Sequence, residues 1–321
     1  MKCKNISLII PTYKREKQII KILKSLKNQV VKNLKLEIII CDSFSNYNKR
    51  LFPSSSKNFK IKYFNIIKNN LSAKRNYGIN KAKYKNIILI DDDCIPDKYF
   101  LSTYVKDFLK IDNRSILSGV VDYPKAYIKK FNHINFRNQK HFKRQNRDLS
   151  EINPDKIVAM NLGFINSKKM SNIKYFDERF TGYGFEDHEF GYRYYKNGFK
   201  LITSNARIIH DEGKPNINNY IKKHYHLGKD GMKNLLKINK SLAKTTVYNK
   251  IEQNFFYKLI IKLPKLNCFL LFFEKLIIST DKSYYMNFLF LYNLLRLSSY
   301  SRGLIARNNH KLKNKNYNWY E

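Results

Sequence analysis

Three adjacent carboxylates, Asp91-Asp92-Asp93, directly follow the run Asn86-Ile87-Ile88-Leu89-Ile90 and stand just before Cys94-Ile95-Pro96. Acids so close repel one another, and each raises its neighbours' proton affinity unless a cation sits among them. Oxygen donors suit a hard divalent ion such as Mg2+ or Mn2+, which in turn recruits phosphate. A second acidic group, Glu186, Asp187 and Glu189, follows the glycine-bearing stretch Phe180-Thr181-Gly182-Tyr183-Gly184-Phe185, and His210 stands before Asp211-Glu212. Each feature also has a plainer reading. The triplet fits an acidic turn, the second group fits ordinary capping of a helix N-terminus, and a lone histidine fits a structural or solvated role.

Elements with the right periodicity exist to position these groups. Ile6–Ile10, Leu36–Cys41 and Ile87–Ile90 are continuous apolar runs, the pattern of strands buried on both faces in a parallel sheet. Between the first two, Ile19, Ile20, Leu23 and Leu26 recur at the spacing of an amphipathic helix. Ile61–Ile66 reads as a third strand, residues 73–82 as a helix, and residues 44–58 as a loop. The order predicts a parallel, doubly wound sheet with right-handed crossovers. The triplet then falls at the C-terminal end of a central strand, where such sheets bind ligands. Ile116–Val121 reads as a further strand, and residues 122–155 as a long, basic, polar excursion. A helix from Glu186 should stop near Lys196, because Asn197-Gly198 is a C-terminal stop signal. Phe199–Thr203 and Ala206–Ile209 read as short strands.

Beyond residue 215 the character changes. Residues 218–240 predict a basic helix, and the apolar stretches Leu266–Ile278 and Tyr284–Leu297 are interrupted by Glu274, Lys275, Asn287 and Asn293. They are too short and broken to span a bilayer. Packed helices are one reading; helices lying in a membrane interface are another. The tail after Arg307 reads as mobile.

The chain of 321 residues carries 62 basic and 25 acidic side chains, a formal charge of +37, spread over its whole length. That charge favours polyanionic partners, although the general richness in Lys, Asn, Ile and Tyr accounts for part of it. Cys3, Cys41, Cys94 and Cys268 form no paired motif, which argues against a zinc site or disulfide framework and points to a reducing cytoplasm. The N-terminal apolar run is too short for a signal peptide.

Ile9-Ile10-Pro11-Thr12-Tyr13, Asp42-Ser43, Ala73-Lys74-Arg75-Asn76-Tyr77-Gly78, the acidic triplet with Pro96, and Gly184-Phe185-Glu186-Asp187 with His210 together resemble glycosyltransferase family 2, over roughly residues 5–213. The last pair of features is similar to its galactosyltransferase-type subgroup. The resemblance implies an α/β, Rossmann-like, mostly parallel sheet of the A-type glycosyltransferase fold, with a C-terminal helical region. Residues 1–215 would form the nucleotide-sugar-binding catalytic domain, and 216–321 a helical region associated with membrane or acceptor. It implies donor contacts from Pro11, Thr12, Asp42, Lys74, Arg75, Asp91, Asp92, Asn161 and Gly163. Asp91, Asp93 and His210 would hold Mn2+ or Mg2+. Asp187 would be the base that takes the acceptor's proton, with Glu186 bonding a sugar; the reverse assignment stays open, since neighbouring carboxylates share their titration. The chemistry agrees, because a diphosphate leaving group needs its charge neutralised and inversion needs a carboxylate on the acceptor side. One departure is Cys41-Asp42-Ser43-Phe44-Ser45, where the family often shows Asp-Asp-Gly-Ser, so uridine diphosphate is only the default base.

The implied activity is inverting sugar transfer to a glycan or lipid-linked acceptor in surface polysaccharide synthesis, capsule or O-chain. The enzyme would be cytoplasmic, with peripheral contact at the inner membrane face and no nucleic-acid partner. Two alternatives remain. A nucleotidyltransferase would want a glycine-rich loop, which Pro11-Thr12-Tyr13-Lys14-Arg15 lacks. A nucleic-acid-binding protein fits the charge, but its acidic clusters would repel phosphate.

Overall fold

The computed structural model describes residues 4–29, 31–44, 52–145, 149–263, 265–282 and 288–308. The tail expected to be mobile, from residue 309 on, Cys3 and residues 45–51 of the expected 44–58 loop lie outside these. The chain divides into two compact units. The first comprises residues 1–124, 138–178 and 186–213, and the second residues 125–137, 179–185 and 214–321. The division is therefore not a single cut near residue 215, because two short internal segments belong with the C-terminal helices.

The first unit is built on a mixed, mostly parallel eight-stranded sheet in the order β3-β2-β1-β4-β7-β6-β8-β5. Strands β1 (Lys4–Thr12), β2 (Leu34–Asp42), β3 (Phe59–Asn65) and β4 (Asn86–Ile90) are all parallel, as the unbroken apolar runs of β1, β2 and β4 predict. Alternate residues feed two cores. Ile6, Leu8, Ile10, Ile88 and Ile90 pack with Ile19, Leu23 and Leu26 of α1 (Glu16–Lys27) and with Phe100, Tyr104 and Phe108 of the helix Phe100–Lys110. Ile9, Ile39, Ile87 and Leu89 face Ile79 of α2 (Leu71–Lys81) and Phe190 and Tyr194 of the helix Glu186–Lys196.

Past β4 the pattern departs from a purely parallel winding. Strand β5 (Cys94–Pro96) pairs antiparallel at the sheet's edge, the position where a proline costs no ladder bond. After α3 (Phe100–Lys110) comes β6 (Ser115–Asp122), and β7 (Asn161–Ile165) lies antiparallel between β4 and β6. The polar excursion at 122–155 is largely helical, with α4 (Lys125–Lys130) and α5 (Asn132–Gln145). After α6 (Lys168–Ile173) and α7 (Glu186–Lys196), the two short strands expected near 199–209 form one, β8 (Lys200–His210). Its polar middle is accommodated by a register shift against β6 and by Ser204, whose hydroxyl donates to the buried Asp107 at 2.6 Å.

In the second unit α8 (Ile217–His226) runs into a π-helical turn (Leu227–Gly231) and then α9 (Met232–Ile238), so the long helix expected at 218–240 is interrupted. The turn is where α14 (Phe290–Asn308) crosses. A Cβ on Gly228 would meet the Tyr300 carbonyl oxygen at 2.1 Å, and one on Gly303 the Tyr225 carbonyl oxygen at 2.1 Å. The helices α10 (Lys240–Thr245), α11 (Val247–Gln253), α12 (Phe255–Ile260) and α13 (Leu266–Ser279) complete the unit. Its buried acids are paired, Asp281 with His133 at 2.7 Å and Glu274 with Arg302 at 2.5 Å, and the partly buried Glu252 meets Arg307 at 2.9 Å.

Candidate active site

The acidic triplet turns out of β4, with the Cys94 amide donating to the Asp91 carbonyl at 3.1 Å. The β5–β8 ladder sets Cys94 opposite His210, and the Asp211 amide donates to the Asp93 carbonyl at 2.7 Å. Thus a short strand that the sequence conceals brings residue 210 to residue 93.

Each carboxylate of the triplet has its own partners. Asp91 accepts from Arg75 Nη2 at 2.8 Å, and Nη1 of the same guanidinium lies 3.4 Å from Glu186 Oε1. Arg75 comes from α2, is 2 % exposed, and stands over the Phe176 ring at 5.1 Å. Asp92 accepts from Thr12 Oγ1 at 2.8 Å and from Arg15 Nη1 at 3.2 Å. Asp93 accepts from Arg15 Nη1 at 2.6 Å and lies 3.2 Å from His210 Nε2. Lys74, also on α2, donates to the Thr12 carbonyl at 2.8 Å. The triplet, the Glu186-Asp187 pair and His210 therefore belong to one connected cluster inside the first unit.

Burial and mutual charge tune these groups unequally. Burial, then the Asp93 charge, pushes Asp92 up to about 7. Burial opposes ionisation of Asp93 too, but His210 and Arg15 outweigh it and hold that carboxyl well below the usual range. Glu186 is raised by burial and by Asp187, whereas Asp187, despite its burial, is lowered by His188, which bonds it at 2.9 Å. Burial brings Lys74 down to about 8. Glu186 and Asp187 open α7 after two residues with positive φ, Gly184 (92°) and Phe185 (74°). For a phenylalanine that backbone conformation is strained.

Asp93, Cys94 and His210 offer ligand atoms close enough to share a cation. Cys94 is the poorest of them, since burial and then the neighbouring carboxylates push its thiol well above the usual range and keep it protonated. Glu212 Oε1, 3.6 Å from His210 Nε2, is a better third donor. The His210 Nδ1 atom is buried without a hydrogen-bond partner among the described residues, so that nitrogen is not spent on bracing the backbone. A carboxylate and imidazole set of this kind fits a divalent cation. Charge argues the same way: Asp91, Asp92, Asp93, Glu186, Asp187 and Glu212 outnumber the cations Arg15, Lys74 and Arg75 that meet them.

Other residues singled out in the sequence have partners of their own. The Asp42 carboxyl is buried at the end of β2, accepting from the Tyr63 hydroxyl at 2.6 Å and the Phe44 amide at 2.9 Å. Pro11 is buried in β1 opposite Cys41. Asn161 and Gly163 lie in the core rather than facing the acidic cluster. The Asn161 amide donates to the Val120 and Ala206 carbonyls, both at 2.9 Å, and its oxygen accepts from the Tyr104 hydroxyl at 2.7 Å. A Cβ on Gly163 would meet the Tyr104 ring at 2.5 Å. Arg15 and Glu212 were not legible as site residues. The adjacency of Glu212 to His210 was the one available signal, and Arg15 is one basic residue among 62.

Comparison with known proteins bears on the family and the fold. The model of the family described as glycosyl transferase family 2 matches residues 7–167. A chondroitin synthase of Escherichia coli is 28 % identical over 250 residues, covering 66 % of this chain and 35 % of that protein. A hyaluronan synthase of Pasteurella multocida is 26 % identical over 242 residues, covering 65 % of this chain and 25 % of that protein. The chain thus spans about a third or less of the length of these relatives. Among solved structures, a mannosyltransferase from Pyrobaculum calidifontis in complex with GDP-Man and Mn2+ superposes with a TM-score of 0.61 at 13 % identity, covering 94 % of this chain and 86 % of that one. That likeness shows the A-type glycosyltransferase fold.

Proposed function

The chain belongs to glycosyl transferase family 2 and is a glycosyltransferase, and we propose that it transfers a sugar, with inversion, from a nucleotide-diphosphate donor to a glycan or lipid-linked acceptor. The product would be a bacterial surface polysaccharide, capsule or O-chain, and the default donor a UDP-sugar. Its similarity to synthases of chondroitin and hyaluronan supports a glycan acceptor. Family membership decides against the nucleotidyltransferase alternative.

The observation that carries the reading is the buried guanidinium of Arg75, bonded to Asp91 on one side and close to Glu186 on the other. It makes the group suited to a metal-diphosphate and the group suited to proton abstraction neighbours in one cluster. Asp187, held ionised beside His188, takes the acceptor hydroxyl's proton, while Glu186, next to Arg75, orients a sugar hydroxyl. Asp93 and His210 would hold a divalent cation, Mn2+ or Mg2+, which would supply neutralising charge to the leaving diphosphate. Lys74 and Arg75 add fixed positive charge, and Thr12 with Asp92 lines the donor side.

A panel of nucleotide sugars, assayed for metal-dependent binding and hydrolysis, identifies the donor. With that donor, Asp187→Asn should cut turnover by roughly 10²–10⁴-fold while leaving donor affinity nearly unchanged. An active Asp187→Asn together with a dead Glu186→Gln would transfer the base role to Glu186. No binding of any nucleotide sugar would overturn the reading.

A further inference from the structure

The C-terminal unit carries an apolar surface for which sugar transfer has no use. On α13 the side chains of Phe269, Phe272 and Leu276 fall on one side of the helix, and each is more than half exposed. On α14 Phe290, Leu294 and Leu297 do the same, 37–60 % exposed. Phe255 and Leu259 extend the pattern along α12, at 67 % and 50 %. The opposite sides of the two longer helices are buried, through Glu274 and Ile277 on α13 and through Tyr292, Leu295 and Tyr300 on α14. Between α13 and α14, Phe269 of the first stripe and Leu294 and Leu297 of the second wall, with Leu270 and Phe273, a cavity of about 310 Å³. Contiguous apolar surface of this kind marks a place where something docks.

Charge identifies what docks. Lys258, Lys262, Lys265, Lys275 and Lys282 are all exposed around these stripes. The acids among the described residues from 254 to 297 are Glu274 and Asp281, both buried and paired with Arg302 and His133. The exposed surface here is thus apolar and cationic, with no exposed carboxylate among those residues. A second copy of this chain would bring like charges face to face in a two-fold contact. An anionic lipid surface offers an apolar interior for the rings and phosphate charge for the lysines. No described helix is long and apolar enough to cross a membrane, so the contact is one of lying on the bilayer.

We propose that the α12–α14 face docks on the surface of an anionic phospholipid bilayer, with the phenylalanine and leucine stripes buried at the headgroup boundary and the lysines on lipid phosphates. The docking depends on neither the donor nor the residues of the acidic cluster, so it stands or falls separately from the proposed reaction.

The test is flotation of the full chain with vesicles of phosphatidylcholine alone or mixed with phosphatidylglycerol, at low and high salt. The chain should float with the anionic vesicles, and salt should weaken the binding. Phe269→Gln/Phe272→Gln/Leu276→Gln should weaken it at least about tenfold. In a separate variant, replacing Lys258, Lys262, Lys265 and Lys275 by Gln should weaken it roughly fivefold per lysine. All seven positions are at the surface, and matching circular-dichroism melts verify the fold. Should the apolar triple variant unfold, the lysine series still decides the matter. Absence of flotation, equal flotation with neutral vesicles, or binding untouched by the lysine replacements overturns the proposal. So does a concentration-dependent dimer that the apolar variant abolishes, which would give the face to a second copy.

Discussion

Arg75→Met removes the one cation shared by Asp91 and Glu186 while keeping most of the side chain's volume. The guanidinium is 2 % exposed, and its partners' side chains are 25 % and 15 % exposed, so the charges it leaves behind are largely desolvated. Breaking a buried ion pair from one side costs about 3–5 kcal/mol, and the lost contact with the Phe176 ring adds a fraction of a kcal/mol. Partial exposure of Asp91 argues for the lower end, about 3 kcal/mol. In a unit of this size that is a fall in Tm of roughly 6–12 °C. The deficit should also depend on pH. Burial and the Asp187 charge already hold Glu186 above its unfolded value. Such a group favours the folded state fully below the unfolded carboxylate value and loses that contribution as pH rises through the folded one. Without Arg75 the folded value rises further, so the deficit should be largest near pH 8 and shrink toward pH 5. Arg75→Lys should recover only part of the loss, because a point charge cannot fork to both carboxylates. Circular-dichroism melts of wild type and both variants at three pH values supply the numbers. A deficit below about 1 kcal/mol, or one that is flat or grows in acid, would refute the idea that Arg75 is a buried counter-ion.

Asp93→Asn and His210→Ala should each weaken Mn2+ binding by at least about tenfold by electron paramagnetic resonance, while Cys94→Ala leaves it unchanged; a loss on removing the thiol would put sulfur in the ligand set. Arg15→Gln should strengthen Mn2+ binding in the same measurement, because its Nη1 now holds Asp93 at 2.6 Å; weaker binding would make Arg15 a supporting contact rather than a competitor. Gly303→Ala drives a methyl group against the Tyr225 carbonyl oxygen, and should destabilise the C-terminal unit by about 2 kcal/mol or more in a thermal melt; an unchanged melt would mean that α8 and α14 separate at little cost.

How much of this was legible in the sequence differed by element, for physical reasons. Strands β1, β2 and β4 announce themselves because a parallel strand buried on both faces needs an unbroken apolar run. The end of α7 was equally plain, since Gly198 takes φ +76°, which other residues avoid. The antiparallel β7 was not, because a run such as Asn161-Leu162-Gly163-Phe164-Ile165 looks the same in either direction when both faces are covered. Strand β5 was hidden by Pro96, which reads as a stop until its edge position is known. The helical content of 122–155 was masked by polar composition. Asn161, a donor contact by family resemblance alone, could not be placed from its type: its amide makes three core hydrogen bonds that only the packing of β7 between β4 and β6 creates. Arg15 was lost among so many basic residues that none carries weight from type alone.

The adjacency of Asp91, Asp92 and Asp93 suggests a single cage for one ion, and the contacts argue otherwise. A turn begins at Asp91, so the three side chains leave in different directions: Asp91 to the α2 guanidinium, Asp92 to the end of β1, Asp93 to β8. Only the last two share a cation, and they share a single Arg15 nitrogen. Burial and the Asp93 charge raise Asp92 toward neutrality, while His210 and then Arg15 keep Asp93 ionised beside the imidazole. The carboxylate that stays ionised is the one that β5 carries to His210, so the strand pairing, and not the run of acids itself, selects which member of the triplet is available to a cation. Asp91, engaged by Arg75, is left to link this cluster to the pair on α7. On this view the middle residue buffers the charge of the third, and the first ties the two halves of the cluster together.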